Sequence, residues 1–141
     1  MGTLARLIVL MIAGLLSACG SAGFKANSSP CASVDRTLTE ERKKALAPVI
    51  AKQLSVASVD VLQSFANGGW NIIYVDTHES DEAFVFFPGE PGAIHYLTLW
   101  GGAATENEEQ EIKDWTTRNA PGIPRDLASC FAWHVTRDRD R

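Results

Sequence analysis

Asn67-Gly68-Gly69 decides the fold, because it joins two runs of strand character. These residues tolerate the positive φ that a tight hairpin requires. Before them, from Ser58, the hydrophobic period is two: Val59, Val61 and Phe65 alternate with Asp60 and Ser64. After them comes Trp70–Asp76 (WNIIYVD), with Trp70, Ile72 and Tyr74 on one face and Ile73 and Val75 on the other. A polar turn over residues 78–82 leads into a third strand, Ala83–Phe87. That strand offers Phe84 and Phe86 to one face, Val85 and Phe87 to the other. Pro88-Gly89-Glu90-Pro91-Gly92 ends it. A fourth strand is expected over residues 94–100, closed by Gly101-Gly102, with Ile94, Tyr96 and Trp100 facing away from Leu97 and Leu99. Short turns between these runs predict an antiparallel meander.

Helical signals flank the meander. Thr37 with Glu40 fits a capping box, and a first helix is expected to begin near Thr37 or Thr39. Glu40 and Glu41 suit its positive end. Leu38, Leu46, Val49, Ile50 and Leu54 supply the apolar stripe. Pro48 has no N–H to donate, so a kink or the start of a second helix is expected there. Residues 106–118 return to helix, with Ile112 and Trp115 on one face and a stop over residues 119–124. The apolar run 130–135 reads as a final strand, and the charged tail 137–141 as frayed. The order α-β-β-β-β-α-β is that of an α+β domain.

The N-terminus carries an address. Residues 7–16 (LIVLMIAGLL) form an apolar run too short to span a bilayer, which takes ~20 residues. The run suits the apolar region of a secretory leader. Leu16-Ser17-Ala18-Cys19 closes it and resembles the lipobox of bacterial lipoproteins. The resemblance covers the leader alone. It implies a signal peptide over residues 1–18, cleavage between Ala18 and Cys19, and lipid on the Cys19 thiol and amino group. Multiple acyl chains would hold the domain on a membrane where one would not. Gly20, rather than Asp, follows the cysteine, which in that family goes with the outer membrane, here facing the periplasm. The alternative is an ordinary secreted protein with Cys19 incidental. Residues 20–30 (GSAGFKANSSP) read as a flexible tether, so 19–30 forms the anchor segment and 31–141 a single domain.

Without residues 1–18, 123 of the 141 residues remain, enough for one core. Loss of Arg6 leaves 12 basic against 17 acidic side chains, a net charge of −5. That balance argues against a nucleic-acid partner. With Cys19 lipidated, Cys31 and Cys130 form an even pair, expected as a disulfide in an oxidising compartment. Two separate thiols, or a nucleophilic cysteine, are the alternatives.

Chemistry-bearing residues are sparse. Asp76, His78, Glu79, Asp81 and Glu82 form the densest polar cluster, with Asp76, His78 and Asp81 as candidate metal or hydrolytic residues. Their spacing matches neither HExxH nor an EF-hand, and a solvated turn is the alternative. His134 follows Cys130 by four residues. On a strand that separation exceeds ~12 Å, so a direct Cys–His pair is not expected. His95 is read as an ordinary strand residue. No GxSxG elbow, phosphate loop or GxGxxG turn is present, and no cofactor is expected. The less routine feature is aromatic: Trp70, Tyr74, Phe84, Phe86, Tyr96 and Trp100 fall in strands and form a candidate partner surface if one sheet face is left open. A sheet buried on both sides is the alternative. The expectation is a lipid-anchored, non-enzymatic binding domain for an envelope protein or cell-wall component, with a periplasmic hydrolase or metal-dependent enzyme as the other reading.

Overall fold

In the computed structural model, residues 29–139 are described. The expected leader, the expected cleavage between Ala18 and Cys19, the expected lipid site Cys19 and most of the expected tether lie outside them. The order is α1 (Glu40–Leu54), β1 (Asp60–Asn67), β2 (Trp70–Asp76), β3 (Ala83–Phe87), β4 (Thr98–Gly101), a 3-10 turn (Glu106–Glu108), α2 (Glu109–Asn119) and α3 (Arg125–Arg137). The strands form one antiparallel sheet in the order β1-β2-β3-β4. Among the described residues no helix is long and apolar enough to cross a membrane.

Both faces of the sheet are covered, so the domain has three layers. Alternation along β2 and β3 dictates this. Ile72, Tyr74, Phe84 and Phe86 pack with Ile112 of α2 and Leu127 and Phe131 of α3. Ile73, Val75, Val85 and Phe87 pack with Leu46 and Ile50 of α1. Neither face of a central strand could stay wet at an apolar cost of ~25 cal/mol per Å².

The sequence reading of β1 needs one correction. Val61 pairs with Val75 and Gln63 with Tyr74, so Leu62 is an extra residue in a β-bulge. Strict alternation would have put Val61 and Phe65 on one face. The bulge instead sends Val61 to the α1 side and Phe65 to the α2/α3 side.

Of the two expected starts for the first helix, Thr39 is the cap and Thr37 is not. Thr39 caps it, its Oγ1 accepting from the Arg42 N–H at 3.1 Å, while Thr37 N–H donates to the Asp35 carboxylate at 2.8 Å. Ser55 closes it in the left-handed region at φ 59°, and Val56 N–H returns to the Ala51 carbonyl. The helix is continuous through Pro48, so no second helix starts there, and a kink is not shown. Pro48 and Lys44 are both exposed, which leaves the Lys44 carbonyl that loses its donor facing water.

The expected final strand is the main correction. Residues 130–135 lie inside α3. Leu127, Phe131, His134 and Val135 recur at helical spacing and are buried. Pro124 stands immediately before the helix and Asp126 lies in its first turn, both ordinary start signals. The tail is also tied down as far as described: Arg139 donates to the Tyr74 hydroxyl and to the Gly102 carbonyl. Cys31 and Cys130 form a disulfide across 99 residues, joining the N-terminal segment to α3.

The hairpin behaves as its residues require. Gly68 and Gly69 have φ of 57° and 84°. Gly68 also meets the loop between α2 and α3 so closely that a Cβ would lie 2.9 Å from Pro124 Cγ.

Candidate functional site: the exposed edge at β4

The aromatic residues expected as a partner surface are largely core. Phe84 and Phe86 are wholly buried, and Trp70 and Tyr74 are buried. Tyr74 stacks on Phe84 at 4.1 Å between ring centroids. Phe131 of α3 meets Phe84, Phe86 and Trp100 edge-on at 5.1, 5.0 and 5.6 Å. Trp100 is half-buried against this cluster. Tyr96 packs against the α1 side, not beside Trp100 as alternation had suggested. The reason is that residues 94–97 are not strand: β4 starts only at Thr98.

Apolar exposure lies elsewhere. Among the described residues the exposed large hydrophobics are Leu62, Ile94, Leu97 and Leu99, each 40 to 46% exposed. Three of these sit on the approach to β4 or in it. Leu99 pairs with Val85, so it shares the α1 face of the sheet. The helix covers β1 at that face and leaves the β4 end open.

Residues 88–97 are strapped onto α1. Gln53 donates to the Pro91 and Ile94 carbonyls at 2.9 and 3.1 Å, and its Oε1 accepts from the Tyr96 N–H at 2.8 Å. Arg42 makes a two-pronged ion pair with Glu90, at 2.5 and 2.9 Å. The glutamate beside it holds the Arg42 guanidinium above its usual range. This strap frames a surface hollow of about 580 Å³ lined by Val49, Lys52, Gln53, Ser55 and residues 91–95. Both ends of the Gln53 amide are engaged in holding the loop, so its role there is structural.

The polar cluster is only partly assembled. Asp60 and Asp76 face each other across β1 and β2, an unfavourable pair of like charges. His78, at φ 60°, reaches back between them: Nε2 lies 3.2 Å from Asp60 and Nδ1 3.4 Å from Asp76. Asp60 is the member that sequence reasoning missed, since only pairing register brings it near. Asp81 is not brought to His78. Among the described residues no three potential ligands gather to hold a metal ion. His78 is about half exposed, and its ring bridges the two carboxylates at the sheet end.

Cys130 and His134 require a second correction. Both lie on α3, where residues four apart are neighbours, so strand distance no longer separates them. The disulfide removes the thiol that a nucleophile would need. His134 is wholly buried, with Nε2 2.7 Å from Gln63 Oε1 and Nδ1 4.0 Å from Asp138. His95 is exposed, its Nδ1 3.0 Å from the Tyr96 carbonyl.

No protein-family model, curated protein or solved structure matches this chain.

Proposed function

We propose that this chain is a lipid-anchored protein of the bacterial envelope whose domain is a non-enzymatic binding module. Lipid on Cys19 would tether it to the membrane, in the outer membrane facing the periplasm, and the tether would present the domain to another envelope component. The address is supported by Leu16-Ser17-Ala18-Cys19 behind the apolar run. A disulfide between Cys31 and Cys130 agrees with an oxidising compartment. The binding surface in this reading is not the aromatic set but the edge formed by Ile94, Leu97 and Leu99. The observation that carries it is their exposure, 40, 46 and 42%, gathered on the approach to β4 and in it, whereas the other exposed large hydrophobic among the described residues, Leu62, stands alone in the β1 bulge.

Two variants test the reading. Cys19→Ser should move the protein out of the membrane fraction, whereas Leu97→Lys with Leu99→Lys should leave it there and abolish its association with the envelope component. Retention of Cys19→Ser in the membrane, or unchanged association of the double variant, contradicts the corresponding half.

A further inference from the structure

The two edges of the sheet differ. The outer side of β1 is partly taken. Asp35 and Ala66 exchange main-chain hydrogen bonds at 2.9 and 2.8 Å, and the Asn67 amide donates to the Ser33 carbonyl at 2.8 Å. The Leu62 bulge and the exposed Asp60 further spoil that edge for pairing. At the other end of the sheet, among the described residues, no strand or bridge pairs with the outer side of β4.

Sheet edges are commonly protected by charge, by proline or by a bulge within the strand. β4 (Thr98-Leu99-Trp100-Gly101) has no charge or proline, and residues 91–105 contain no Asp, Glu, Lys or Arg. In a mature chain of charge −5, this is a long neutral stretch on a surface that otherwise repels its own kind.

We propose that a second copy of this chain occupies the edge, β4 against β4, antiparallel about a two-fold axis at Leu99. The proposal names the partner for the binding edge described above and rests on that reading. With the axis at Leu99, which puts the two most apolar exposed side chains of the edge to use, Leu99 lies opposite its own copy, Thr98 opposite Trp100, and Leu97 opposite Gly101. Directly opposed residues share a face, so Leu97, 46% exposed, meets a residue with no side chain, and the two Leu99 side chains, 42% exposed, cover each other. No like charges oppose across the pairing. An isologous contact of this kind needs only one surface to be self-complementary, whereas an unrelated strand would have to match it independently. The strand is short, and the contact falls well below the ~1,600 Å² of a standard stable interface. Confinement of both copies on one membrane raises their effective concentration and favours the pair.

Site-directed cross-linking in the full lipidated chain tests this, in phospholipid vesicles, with the Cys19 thiol blocked by its lipid and Cys31–Cys130 already oxidised. Leu99→Cys, Leu97→Cys and Leu62→Cys each add one exposed thiol. The two copies of Leu97 would stand four positions apart along the strands, ~13 Å, out of disulfide reach. The expected result under mild oxidation is a covalent dimer of Leu99→Cys forming at least about tenfold faster than with the other two, by pre-pairing rather than collision. Equal rates for Leu99→Cys and Leu62→Cys overturn the proposal, and so does Leu97→Cys reacting as fast as Leu99→Cys. A Leu99→Cys chain that in whole envelopes forms a mixed disulfide with another protein, and no dimer, overturns self-pairing while leaving the binding edge standing. A chain recovered without lipid overturns the anchor, and a Leu99→Cys dimer that still forms about tenfold faster upholds the pairing without it.

Discussion

Nε2 of His134 lies 2.7 Å from Oε1 of Gln63, joining the last turn of α3 to the bulge in β1. The Gln63 amide nitrogen donates to the Arg139 carbonyl at 3.1 Å, which turns its oxygen to the histidine. The neutral imidazole must therefore carry its proton on Nε2. Nitrogen-15 NMR should show that tautomer for His134; a proton on Nδ1 alone would refute the arrangement.

The same contact has a stability consequence. The ring is wholly buried and lies 4.8 Å from the Phe65 centroid. His134→Ala should cost about 2–4 kcal/mol, from lost packing and an unsatisfied Gln63. Gln63→Ala should cost less, about 1–2 kcal/mol, because Gln63 is only partly buried. A double-mutant cycle by urea denaturation should return a coupling of about 1 kcal/mol. Strict additivity would mean the hydrogen bond contributes nothing.

The disulfide closes a loop with a sequence separation of 99 residues. The chain-entropy argument assigns ~4.7 kcal/mol to a loop near that length. Cys31→Ala with Cys130→Ala should therefore lower unfolding free energy by several kcal/mol, and reductant should do the same to the parent. A midpoint unmoved by reductant would contradict the bridge.

Gln53 is the main strap on residues 88–97, through three hydrogen bonds. Gln53→Ala should cost about 1–3 kcal/mol and speed amide exchange at Tyr96. Arg42→Ala should cost less than about 1 kcal/mol, since its Glu90 partner is exposed. A larger effect from Arg42 than from Gln53 would reverse this ranking.

Two exposed carboxylates report on acid stability. Main-chain N–H donation from Thr105, then its hydroxyl, holds Glu108 below the usual carboxylate range. Donation from Thr37 does the same for Asp35. The charged forms favour folding, so their contribution is present above the unfolded-state pKa and lost as pH falls through the lower folded-state value. NMR titration should place the Glu108 midpoint below that of an ordinary glutamate. Thr105→Ala should return only part of the shift, because the main-chain donor stays. A parent midpoint at the ordinary value would contradict the capping geometry.

The meander is legible because β2 and β3 alternate cleanly and the Asn67-Gly68-Gly69 turn fixes the pairing of β1 with β2. α3 is not, because residues 130–135 form a nearly unbroken apolar run, which has no period to read. Leu127 and Ala128 upstream carried the helical spacing, and Pro124 with Asp126 marked the start. The Leu62 bulge left no signal in the alternation before it. Trp70, Tyr74, Phe84, Phe86 and Trp100 lie on strands as the sequence suggests and Tyr96 does not, but whether a face is covered depends on α2 and α3 folding back, which no local pattern states. The exposed edge was hidden for the same reason: Leu97 and Leu99 look like core until α1 is seen to lie over β1. Asp60 joined His78 only through register.

The most direct measurement is the intact mass of the protein extracted from the envelope, with and without reductant and alkylation. The account predicts a chain beginning at Cys19 with added lipid mass, and two thiols, Cys31 and Cys130, that alkylate only after reduction. A chain that keeps residues 1–18 and carries no lipid, with Cys130 alkylated before reduction, would contradict both the address and the bridge that ties the domain together.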